Sequence, residues 1–149
     1  MATGPETPLR VALAGSRDLP LDRVARYVIG ELAKLPEGST VLLRHPKTKG
    51  SQPGDFEQLV HKVATLLNLD VEWCRPEGSD RSQVYLRDLD MVTRADYVVA
   101  FFPTPAMDGG TGHIVEAAWN KGVSIEAWWV QADGSLERIG EYDPGADGP

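Results

Sequence analysis

The feature that most constrains this chain is an alternation between two periods. Short β-rich apolar runs at 9–14 (LRVALA), 40–43, 71–74, 96–102 (DYVVAFF) and 123–130 are separated by stretches whose apolar residues recur every three or four positions. The clearest such stretch is Leu21, Val24, Ala25, Val28, Ile29 and Leu32, one stripe of an amphipathic helix. Pro20 suits its first turn, and residues 36–38 (PEG) end it. Phe56, Leu59, Val60, Val63, Ala64 and Leu67 mark a second helix, for which Asp55 is the expected cap. Residues 82–95 contain no breaker and are read as a third helix, and 114–121 as a fourth, closed by Gly122. Asp133-Gly134 then predicts a turn into a short edge strand at 136–139.

Strands alternating with helices imply βαβ units. The expected class is therefore α/β: a three-layer, Rossmann-like, doubly wound sheet of five to six mostly parallel strands. At 149 residues and 42% hydrophobic content the chain suffices for one core. The working domain is read as 9–140, with 1–8 a disordered N-terminus and 141–149 an acidic disordered tail. No apolar run approaches the roughly 18 residues of a membrane span, and residues 1–8 lack the basic flank and apolar stretch of a signal peptide. The single cysteine, Cys74, excludes an internal disulfide and a Cys-rich zinc site and fits a cytoplasmic location.

Charge narrows the partners. With 15 Lys and Arg against 22 Asp and Glu, a net of −7, the chain is ill suited to tracking a nucleic-acid backbone. A small anion remains compatible, because a few backbone N–H groups and one or two arginines can make a local positive pocket. In a doubly wound sheet ligands sit beyond the carboxyl ends of the strands where the order reverses. An order 3-2-1-4-5 would make the first and fourth strands neighbours there, and the loops after these two strands carry the unusual chemistry. After the first comes Gly15-Ser16-Arg17-Asp18, whose glycine, hydroxyl and guanidinium could hold a phosphate; the plainer reading is a strand-to-helix turn. After the fourth comes Asp108-Gly109-Gly110-Thr111-Gly112-His113, running into the last helix. Three glycines in four residues there read as an anion cradle, and otherwise as a flexible turn capped by Thr111.

Further candidates lie nearby. His113, Glu116 and Asn120 share a polar face, so Glu116 could bond a ribose hydroxyl or stabilise a sugar cation, or could merely complement the helix dipole. Arg87 lies with Asp80, Gln83, Asp90 and Arg94 on a stripe whose plain reading is a solvated, ion-paired face. Arg44, His45, Lys47 and Lys49 form a basic patch that could meet a second phosphate or be an ordinary loop. His45 and His61 have no ligand-spaced partners, so neither a metal nor a cofactor is expected. Trp119, Trp128 and Trp129 are read as core or interface residues.

Together these segments resemble the SLOG superfamily of Rossmann-like nucleotide-binding domains, which includes the LOG phosphoribohydrolases, the DprA/Smf fold and small YspA-type proteins of bacteria and phages. The resemblance spans roughly residues 10–130 in the same order. The run VALAGSRD from Val11 to Asp18 is similar to the family's strand-Gly-Ser-Arg opening. Arg87, Met91 and Asp96 match a YspA-type helix-to-strand passage, and Gly110-Thr111-Gly112-His113 with Ala117-Ala118 resembles its Gly-Thr-x-His turn. Gly50, Gly54 and Asp55 loosely echo its Gly-x-x-x-Gly-x-Asp. Gly109, Gly110, Gly112 and Glu116 keep the spacing of the LOG Pro-Gly-Gly-x-Gly-Thr-x-x-Glu motif, with Arg87 in the place of its helix arginine. The chain departs from LOG at Asp108 (Pro), His113 (Thr) and Asp88 (Lys), and through an insertion at 104–107. The resemblance thus implies a nucleotide-like small-molecule ligand, held by a sensor, scavenger or regulatory module. A LOG-like hydrolase cleaving a nucleoside monophosphate through Glu116 and Arg87, and an interaction protein with a vestigial pocket, are the alternatives. A homodimer is common among such relatives.

Overall fold

The computed structural model describes residues 7–46, 51–78 and 80–142. The expectations for residues 1–6, Lys47, Lys49, Gly50 and 143–149 lie outside them. The sheet contains β1 (Arg10–Gly15), β2 (Thr40–Arg44), β3 (Asp70–Cys74), β4 (Tyr97–Phe102), β5 (Ser124–Val130) and β6 (Leu136–Tyr142). Its order is β3-β2-β1-β4-β5-β6, parallel throughout except for β6, which runs antiparallel to β5. This is the three-layer, doubly wound arrangement the alternation predicts. β6 runs past the expected end at 139, so Glu141 and Tyr142, assigned by sequence to the tail, pair with β5.

Helices α1 (Leu21–Ala33) and α2 (Asp55–Leu66) cover one face, and α3 (Arg81–Arg94) and α4 (Gly109–Lys121) the other. The pleat of β1 explains the division. Val11 and Leu13 point toward Val24, Val28 and Val60, whereas Ala12 and Ala14 point toward Met91 and Ile114. Large residues thus fill one layer, while Ala12, Ala14 and Ala100 let α3 and α4 approach the other closely. Each fully buried valine or leucine contributes about 1.5–3 kcal/mol, so these two layers dominate stability.

Several helix ends differ from the sequence reading. Pro20 lies outside α1 as its N-cap, with its carbonyl accepting from the N–H groups of Arg23 and Val24. Asp55 is the first residue of α2 and Gly54 the cap, so its carboxylate serves the helix dipole instead. Asp80 caps α3 through a 2.9 Å bond from the Gln83 N–H. The largest difference is α4, which starts five residues earlier than 114: the glycine run forms its first turn. Of the two readings for the tryptophans, core or interface, Trp119 is exposed and so not core, while Trp128 packs against the α1–α2 layer. Among the described residues no helix is long and apolar enough to cross a membrane.

Cys74 ends β3 with its thiol buried, and burial, reinforced by Asp90, pushes its pKa up to about 11. At mildly alkaline pH it should therefore react with a disulfide reagent about 100-fold more slowly in the native protein than in denaturant. Equal rates in the two states would contradict this environment.

Candidate functional site

Beyond the carboxyl ends of β1, β2 and β4 lies an open crevice of about 790 Å³, at the point where the strand order reverses. The chain leaving β1 forms one wall, with Gly15, Ser16, Arg17 and Asp18. Ser16 N–H donates to the Phe101 carbonyl of β4 at 3.2 Å, so this turn is pinned across the reversal point. The start of α4 forms the opposite wall, with Asp108, Gly109, Gly110 and Thr111. Asp108 occupies the N-cap position without a side-chain hydrogen bond to the helix. The earliest N–H groups have no carbonyl one turn back, so this wall presents donors and the positive end of the helix dipole.

The organising side chain of the crevice is Arg44, the last residue of β2. Its Nη2 donates to the Gly15 carbonyl (3.1 Å), Glu57 Oε2 (3.0 Å) and Thr111 Oγ1 (3.3 Å). It thereby joins the ends of β1 and β2 to the first turns of α2 and α4. The pair is enclosed, with side-chain exposures of 15% for Arg44 and 7% for Glu57, and the buried Arg44 Nε has no hydrogen-bond partner among the described residues. Thr111 is buried as an acceptor for Arg44 and does not cap α4.

Arg87 enters from α3. Its Nε donates to Asp88 Oδ1 at 2.6 Å, and its Nη1 to the carbonyls of His45 (3.3 Å) and Cys74 (3.4 Å). Arg87 is therefore turned inward, in contrast to the solvated stripe read from sequence; Arg94 and Asp90 do pair on that stripe. Burial raises the Asp88 carboxyl above the usual aspartate range, opposed by Arg87 and, more weakly, by Arg44 and His113.

The crevice therefore gathers Gly15, Ser16, Arg17, Arg87, Asp108, Gly109, Gly110 and Thr111, but not Gly112, His113 or Glu116. The His113 ring packs on Tyr85, with centroids 3.7 Å apart, and Glu116 is exposed on the outer side of α4. Three arginines and four acidic residues line the space, so attraction for an anion comes from placed donors and not from net charge. Among the described residues no cluster of His, Cys, Asp or Glu could hold a metal ion.

The sequence did not reveal Arg44 as organiser or Glu57 as its partner, and Asp88 stood out only as a departure from the LOG pattern, not as the partner of Arg87. Asp88 left a trace: it precedes Met91 and Val92 at the spacing of a buried stripe. No protein-family model matches this chain, and no curated protein matches it.

The glycines have local causes as well. Gly109 has φ +70°, Gly112 packs against the Met107 carbonyl, and a Cβ at Gly110 would lie 3.3 Å from Arg44 Nη1. Gly112→Ala, opposed by rigid backbone, should cost about 1–3 kcal/mol in denaturant melts. Gly110→Ala, whose Cβ would meet the Arg44 guanidinium at 3.3 Å where that of Gly112 would meet backbone at 2.4 Å, should cost less, about 1 kcal/mol. The reverse ranking would contradict this account of the turn.

Proposed function

We propose that the protein binds a nucleotide or nucleotide-derived ligand in the crevice between β1 and the start of α4, as a sensor, scavenger or regulatory module. The observation that supports this reading is the convergence of an uncapped helix N-terminus with Ser16, Arg17 and Arg87 around one space of about 790 Å³. That volume lies within the range of small-molecule sites. The phosphate would take the N–H groups of Gly110 and Thr111 and the guanidinium of Arg87. The carboxylates at the rim, Asp18 and Asp108, are acceptors suited to sugar hydroxyls. The SLOG resemblance carried by residues 11–18 and 110–113 points to the same class of ligand.

The hydrolase reading needs Glu116 and Arg87 to meet across one ribose. Glu116 is exposed and outside the crevice while Arg87 lines it, which favours binding without cleavage.

AMP should raise the melting temperature and adenosine should do so far less, because the helix N-terminus rewards the anion. AMP at about 100 times its Kd should add roughly 2.7 kcal/mol. Equal shifts for the two would refute a phosphate cradle. Chromatography after prolonged incubation should show no free adenine, and its release by wild type, lost in Glu116→Gln, would establish the hydrolase instead.

A further inference from the structure

We infer that Asp88 is a positioning residue that clamps Arg87 in the crevice wall so that its guanidinium meets a bound phosphate; the contact with phosphate rests on the binding reading above. Asp88 occupies the buried stripe of α3 with Met91 and Val92 and is 2% exposed. An apolar residue would fill that place at lower cost, since a carboxylate there must leave water. Its cost is greater because Oδ2 is buried without a hydrogen-bond partner among the described residues. Oδ1 is spent on one contact, the 2.6 Å bond from Arg87 Nε.

That bond decides where Arg87 stands. The Arg87 side chain is 10% exposed, and its other hydrogen bonds among the described residues are the two longer ones from Nη1 to the His45 and Cys74 carbonyls. A guanidinium so enclosed needs a counter-charge, without which turning out to solvent is the cheaper state. With Nε and Nη1 committed, the remaining Nη2 forms no hydrogen bond with the described residues. Asp88 itself does not line the crevice, so its charge holds the arginine without facing the ligand directly.

The test is a double-mutant cycle in the full chain, with AMP as probe in titration calorimetry. Asp88→Asn and Arg87→Met should each weaken AMP about tenfold, the scale of one lost charge-assisted hydrogen bond. The double variant should bind no more weakly than Arg87→Met alone. Losses that add to about a hundredfold, or AMP binding unchanged or tightened by Asp88→Asn, would overturn the inference. Should wild type fail to bind AMP, the binding reading falls, and the clamp is still measured by NMR. The Arg87 Nε–H resonance, assigned by its loss in Arg87→Met, should exchange slowly with water in wild type. Its protection should fall about tenfold or more in Asp88→Asn, because a neutral acceptor holds the donor less strongly. A freely exchanging Arg87 Nε–H in wild type removes the clamp whatever the AMP result, and needs no folded Asp88 variant.

Discussion

The crevice depends on the enclosed guanidinium of Arg44. Three acceptors from different parts of the chain, Gly15, Glu57 and Thr111, meet on its Nη2. None of these elements makes a continuous core there, because the strands have ended and the helices are only beginning. A backbone carbonyl, a carboxylate and a hydroxyl brought together at such ends need a donor, and one planar cation serves all three. The counter-charge of Glu57 keeps that cation from being an isolated buried charge, the costlier arrangement. Arg87 and Asp88 repeat the device one helix away, with the carbonyls ending β2 and β3 in place of those ending β1.

Much of the fold was legible because burial writes itself into periodicity. Residues 96–102 could be read as a strand buried on both faces, since both layers of the sheet claim its side chains: Val99 and Phe101 on one, Val98, Ala100 and Phe102 on the other. The start of α4 was not legible. Glycine is a poor helix former, and only the packing of Gly112 on Met107 and the positive φ of Gly109 reveal why the helix can begin there. The β1 turn and the start of α4 stood out by their position after the strands at the reversal point, and residues of both line the crevice, though Gly112 and His113 do not. Arg44, by contrast, looked like one of several loop cations, because a linear sequence does not show which charge has been drawn beneath the turns.

The local causes of the glycines alter what that run means. Gly15 sits where a side chain would collide with Phe56 and Leu19, Gly112 where it would meet backbone, and Gly110 against Arg44. Close packing of the protein against itself accounts for the small residues at these positions. The case for a ligand therefore rests on the donors and the open space, and not on the number of glycines.

The sheet has one further consequence. Strands β1, β2 and β3 come from residues 10–74 and β4, β5 and β6 from residues 97–142, and the two halves share a single seam, the β1–β4 pairing. Each half is contiguous in the chain, whereas the seam joins residues as distant as Val11 and Tyr97. Closing so long a loop is an entropic cost that neighbouring strands in either half avoid. The crevice straddles that seam. It is therefore a property of the assembled sheet alone: neither half contains it, and any molecule gripping both walls acts as a staple across the most non-local strand pairing in the sheet.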